Sequence, residues 1–170
     1  MINKTKLVVH ALTNSPFVGH LNCGSCNGCD IEILAVLTPW FDVERFGIVL
    51  EGTPRHVDVL LCTGPVTRQN EARVKRIYQQ TADPKFVVAI GTCACTGGVY
   101  QECYNLVTGP DKKSLGLDKT LPVAAYIPGC PPRPEAILDG VVKLIALARQ
   151  GAEAAGEEEE EAPKEAPKEE

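Results

Sequence analysis

The chain has 170 residues, 44% hydrophobic and 23% charged, a balance that fits one globular domain and excludes collagen-like, coiled-coil and wholly disordered classes. The net charge of −5 is unevenly placed: residues 152–170 carry −7 and the remainder +2, so the basic footprint of a nucleic-acid binder is missing and no nucleic-acid partner is expected. No apolar run reaches the roughly 20 residues of a membrane span and the N-terminus lacks a signal-peptide pattern, which predicts a chain facing the cytosol.

In chain order, residues 6–12 suit a short strand or an extended arm. Residues 14–28 are rich in Gly, Ser, Asn and Pro and predict a loop. The segment DIEILAVLT (30–38) has apolar residues at 31, 33, 34, 36 and 37, which predicts a short, largely buried helix stopped by Pro39. Residues 43–50 mix β-branched and aromatic side chains and read as a strand. VDVLLC (57–62) reads as a buried strand ending in the turn Thr63-Gly64-Pro65. Residues 67–81 carry Ala72, Val74, Ile77 and Tyr78 on one helical stripe. FVVAI (86–90) and LPVAAYI (121–127) are further strands, each followed by a Gly-Cys-containing loop. A long helix spans 134–150, with Pro134 in its first turn and Gly151 past its end. Residues 152–170 are acidic, low in complexity and predicted to be disordered, leaving 1–151 as a single domain.

Near-continuous apolar strands alternating with helices predict an α/β fold: a mostly parallel sheet of about four strands with helices on both faces. The loops bearing Cys93 and Cys130 follow the C-terminal ends of strands, the edge where open α/β sheets bind ligands.

Eight cysteines stand at 23, 26, 29, 62, 93, 95, 103 and 130. In a chain facing the cytosol such clustering points to metal or redox ligands before disulfides. Cys23-Gly-Ser-Cys26-Asn-Gly-Cys29 holds two overlapping CxxC pairs, a spacing that lets two thiolates reach one centre from a tight turn. Cys93 and Cys95 form a second group, and Pro128-Gly129-Cys130-Pro131 a third, with the Cys-Pro step that also ends the bacterial ferredoxin run. Four thiolates from three loops can hold a 4Fe–4S cube or a tetrahedral zinc ion. Single cysteines on strand-end loops suit the cluster better than the paired knuckles of zinc sites. Cys62 ends a buried strand and reads as a core residue. Cys103 reads as a bystander, and Cys95 points away from Cys93. Spacing alone leaves Cys23 and Cys29 in competition as the partner of Cys26.

The segments CNGCDIE (26–32), TGPVT (63–67), GTCACTGG (91–98) and PGCPPRPE (128–135) resemble those of the small, cluster-bearing subunit of energy-converting membrane-bound nickel–iron hydrogenases, which is similar to the cluster-bearing B subunit of complex I. The resemblance runs from about residue 15 to residue 149. It implies a flavodoxin-like fold without flavin and one proximal 4Fe–4S cluster on Cys26, Cys29, Cys93 and Cys130. The CxGC of the first motif matches the hydrogenase branch, where complex I has adjacent cysteines. It further implies an oxidoreductase subunit on the cytoplasmic face of the cell membrane. Its partners would be a large nickel–iron catalytic subunit, a ferredoxin-like two-cluster subunit and integral membrane ion-translocating subunits. Electrons would pass through the cluster to reduce protons, coupled to ion movement.

The residues agree with a relay without a substrate site of its own: no Ser-His-Asp pattern, P-loop or GxGxxG after a strand is present, and no catalytic residue is assigned. His20 lies three residues before Cys23, in reach of the cluster loops. Glu32 is expected in the first turn of its helix, where a carboxylate favours the dipole. Arg68 and Arg133 stand beside cluster loops. Trp40 suits either a core or an interface position. Two other readings are a related respiratory complex reducing quinone or sulfur compounds, and a zinc-stabilised interaction module.

Overall fold

The structure is a computed structural model that describes residues 14–107 and 116–160, with side chains up to residue 147. Five strands form one parallel sheet: β1 (Phe17–Asn22), β2 (Val49–Leu50), β3 (Val59–Thr63), β4 (Phe86–Ile90) and β5 (Ala125–Ile127). Their order is β2-β1-β3-β4-β5, the flavodoxin-like doubly wound arrangement. The helices are α1 (Gly28–Val36), α2 (Glu71–Gln80), α3 (Thr92–Thr96) and α4 (Pro134–Glu160).

The apolar runs of β3 and β4 have no solvent face because each alternate residue enters a different core layer. Val59 and Leu61, with Val88 and Ile90, pack against Ile33 and Val36 of α1 and Ile137 and Val141 of α4. Leu60 and Cys62, with Val87 and Ala89, pack on the other face with Val74 of α2 and Ala94 of α3. Helices therefore cover both faces, as the sequence predicts.

Three expectations need correction. The expected loop over 14–28 contains β1, which pairs on both sides with β2 and β3 and makes the sheet five-stranded, not four-stranded. Gly19 and His20 interrupt its apolar pattern, and Gly19 sits where a Cβ would lie 2.7 Å from Val57 Cγ2. The expected strand over 43–50 is a 3₁₀ turn, Val43–Phe46, followed by the two-residue edge strand β2. Left-handed backbone at Asp42 (φ 47°) and Gly47 (φ 79°) brackets that turn and prevents extension. Finally, α4 does not stop at Gly151 but continues to Glu160. The residues beyond are mostly Ala and Glu, good helix formers, and the two glycines, Gly151 and Gly156, cost only about 1 kcal/mol each relative to alanine. The segment expected to be disordered thus begins inside this helix. Residues 6–12 and 161–170 lie outside the described residues.

Candidate metal centre

Parallel strands deliver their following loops to one edge of the sheet, so residues far apart in sequence meet there. The loop from β1 to α1 carries Cys26, the first turn of α1 carries Cys29, the turn after β3 carries Gly64, the end of β4 leads to Cys93 on α3, and the end of β5 leads to Cys130. These elements line one cavity with about 350 Å³ of empty space, open to solvent, and Cys26, Cys29, Cys93 and Cys130 all face it.

The loops are tied to each other through their backbones. Gly91 N donates to Ile127 O at 2.8 Å, and Thr92 donates to Gly129 O from both N (2.7 Å) and Oγ1 (3.0 Å). This joins the Cys93 loop to the Cys130 loop. Gly64 (φ 75°) lets the turn after β3 approach the first motif; a Cβ there would collide with Ser25 N.

Electrostatics record the convergence of the thiols. Burial pushes the Cys29 thiol up to about 11, and the neighbouring Cys26, Cys93, Asp30 and Cys130 groups add to the rise because like charges oppose ionisation. Cys93 is also raised, by burial first and then by Cys130 and Cys26, while the Val99 backbone lowers it. Cys26 and Cys130 are exposed and Cys29 is buried, so the set runs from the protein interior to its surface.

The other cysteines lie elsewhere. Cys23 is fully buried in the layer beside α2 and hydrogen-bonds with Cys62, whose thiol is raised by that bond and by burial. Cys29 lines the cavity and Cys23 does not. Cys95 sits two residues from Cys93 on α3, and its thiol approaches Ala89 O at 3.7 Å, away from the cavity. Cys103 is exposed.

The sequence reading missed one part of the site. Asp30, next to Cys29, is only 7% exposed. Its Oδ1 accepts from His20 Nε2 at 2.6 Å and from Thr63 Oγ1 at 2.5 Å, and its Oδ2 accepts from Asn22 Nδ2 at 2.8 Å. The available signal was an aspartate directly after a candidate ligand, at the start of a largely apolar helix. His20 does stand at the site, through Asp30. Glu32 falls in the second turn of α1, and it is Asp30 that occupies the first. Arg68 spends its Nε on Leu106 O at 3.2 Å. Trp40 is 88% exposed and no part of the core.

Four thiols around one opening match in number the donor set of a cubane cluster, in which each iron takes one thiolate. A single ion would need donors much closer together, about 2.3 Å from a common centre.

Residues 26–144 match the family model of the NADH ubiquinone oxidoreductase 20 kDa subunit. The chain belongs to that family. Within it, the chain is 56% identical over 131 residues to a probable membrane-bound hydrogenase subunit of Pyrococcus furiosus, covering 77% of this chain and 74% of that one. It is 44% identical over 145 residues to formate hydrogenlyase subunit 7 of Escherichia coli, covering 85% and 54%. An NADH-quinone oxidoreductase subunit of Citrifermentans bemidjiense is 45% identical over 116 residues, covering 68% and 64%. These family members are subunits of oxidoreductase complexes. Among solved structures, a chain of the archaeal membrane-bound sulfane sulfur reductase superposes with a TM-score of 0.73 at 37% identity, covering 88% of this chain and 78% of that one. A chain of an NAD⁺-reducing [NiFe]-hydrogenase shares the fold, with a TM-score of 0.58 at 19% identity over 78% of this chain and 92% of that one. No helix of the described residues is long and apolar enough to cross a membrane.

Proposed function

We propose that this chain is the electron-transfer subunit of a membrane-bound, ferredoxin-linked nickel–iron hydrogenase complex, holding one 4Fe–4S cluster on Cys26, Cys29, Cys93 and Cys130. The observation that carries the reading is the meeting of four thiols from three strand-end loops at one open cavity. Single cysteines on separate strand-end loops support a cube over the paired knuckles of a zinc site. The 56% identity to a hydrogenase subunit supports the assignment of the complex.

When bound, the cluster supplies one-electron transfer. The chain's own part is to hold and shield it. Cys29 anchors the site from the buried first turn of α1, and Cys26 and Cys130 bring it to the surface. A relay has to sit close to its donor and acceptor, so the open side of the cavity belongs under a partner. Exposed Trp40 past the end of α1, and Ile31 (64% exposed) and Leu34 (56% exposed) on its outer face, provide apolar surface for such a contact. The partners proposed are a large nickel–iron catalytic subunit, a ferredoxin-like two-cluster subunit and integral membrane ion-translocating subunits. Proton reduction occurs in the large subunit and is coupled to ion translocation through the membrane subunits, and this chain sits peripherally on the cytoplasmic face.

The test is affinity purification of the tagged chain from its native membranes. Recovery with a large subunit that carries two CxxC motifs and bound nickel is expected. Recovery with a large subunit lacking the nickel cysteines points instead to a respiratory complex reducing sulfur compounds or quinone, a reading favoured by the 37% identity to the sulfane sulfur reductase chain. Recovery of a lone chain with stoichiometric zinc sinks both.

A further inference from the structure

Behind the cavity, one hydrogen-bonded unit touches every turn of the first cysteine motif. Asp30 takes three donors at its buried carboxylate, from His20 and Asn22 of β1 and Thr63 of β3. Asn22 works in both directions. Its Nδ2 donates to Asp30 Oδ2, and its Oδ1 accepts from Gly24 N and Ser25 N, both at 2.9 Å. The same Nδ2 reaches Asn27 Oδ1 at 3.3 Å, and Asn27 N donates to Ser25 Oγ at 3.1 Å. Asn27 stands between Cys26 and Gly28 with a left-handed backbone (φ 70°), a conformation costly for a non-glycine residue unless its surroundings enforce it.

Resting on the cluster reading above, we propose that His20, Asn22 and Asp30 are positioning residues of the iron–sulfur site, which set the Cys26–Cys29 loop in its ligating shape before the cluster is bound. Cys26 is exposed, so burial of its own side chain does not hold its loop in place. Asn22 supplies the two acceptor contacts that a wandering loop would lack. Asp30 ties the neighbouring Cys29 to the same asparagine. His20 closes the unit by holding Asp30 Oδ1, with its Nε2 as the donor. None of the three is a ligand, and their hydrogen bonds run to each other and to the loop backbone at Gly24 and Ser25, so they act on the loop that carries the ligands. Partners in this outer position commonly change metal affinity about 10- to 100-fold when removed.

The experiment uses the full chain, loaded anaerobically with iron and sulfide, as wild type and as Asn22→Ala, His20→Ala and His20→Gln. Three readouts are taken: the rate at which an iron chelator strips the cluster, the electron paramagnetic resonance spectrum of the reduced cluster, and the thermal midpoint of the cluster-free chain. Asn22→Ala and His20→Ala are expected to lose the cluster about tenfold faster or more, with altered spectra and an unchanged cluster-free midpoint. His20→Gln, whose amide can donate the same hydrogen bond, is expected to restore the wild-type rate and spectrum. Wild-type stripping rates and spectra in both alanine variants overturn the proposal. So does cluster loss that tracks a lowered midpoint of the cluster-free chain, which makes the unit a support of the fold alone. A wild-type chain that takes up no iron and sulfide fails the cluster reading itself, and is told apart because the failure precedes any substitution.

Discussion

The sulfur of Cys29 lies where a side chain on residue 91 would have to be: a Cβ built on Gly91 would stand 2.5 Å from it. Gly91 also has φ 87°, a backbone region that other residues adopt only under strain. The end of β4 and the first turn of α1 therefore approach as closely as they do only because residue 91 has no side chain. Gly91→Ala is expected to destabilise the chain by more than about 1 kcal/mol and to displace Cys29 from the cavity. Chemical denaturation together with iron analysis of the loaded protein checks both effects.

The loaded chain is expected to contain about four iron and four acid-labile sulfide, because four thiolates match the four corners of a cube. Metal and sulfide analysis after anaerobic reconstitution measures this. Zinc at one per chain with no sulfide is the contrary result.

Cys26→Ser, Cys29→Ser, Cys93→Ser and Cys130→Ser are each expected to damage the cluster, seen as loss or change of its visible absorption. Cys95→Ser and Cys103→Ser should leave it intact. Cys23→Ser and Cys62→Ser should also keep it, but at a stability cost of about 1–3 kcal/mol, since each puts a hydroxyl into a fully buried apolar layer. Thermal or denaturant melts separate that cost from cluster loss.

In the cluster-free chain, alkylation of Cys29 should be slow at neutral pH and speed up about tenfold per pH unit until pH approaches 11. The thiolate is the reactive form, and burial with neighbouring thiols raises the Cys29 value to about 11. The sign follows from the shift: a raised thiol value leaves less thiolate at any pH below it. Peptide mass spectrometry after timed iodoacetamide pulses gives the rate, and a pH-independent rate contradicts the expectation.

Trp40→Ser combined with Leu34→Ser should leave the fold intact, because both side chains are exposed. The pair should weaken binding to the large partner, with a loss of about 1–2 kcal/mol or more, the usual weight of an aromatic anchor at an interface. Quantitative pull-down against the wild type tests this, with circular dichroism as the control for folding.

Much of this protein is written in local sequence. FVVAI at 86–90 coincides with β4, the Val57–Cys62 run reports β3, and Pro134 opens α4, because continuous apolar runs and helix-start residues act over a few positions. The motifs likewise single out Cys26, Cys93 and Cys130, which the structure brings to one cavity. Other features depend on neighbours distant in the chain. β1 is a strand because β2 and β3 flank it, despite Gly19 and His20 in its middle. Cys23 and Cys29 have equivalent spacing from Cys26, and only the sheet separates them: Cys23 turns toward Cys62 on one face, while the first turn of α1 carries Cys29 to the open edge. Trp40 has no sequence mark of its exposure. Asp30 carries no local mark of its role, which shows only when His20, Asn22 and Thr63 close on it from β1 and β3. The local chain sets what each residue prefers; the parallel sheet, by bringing four strand ends to one edge, decides which of those residues meet.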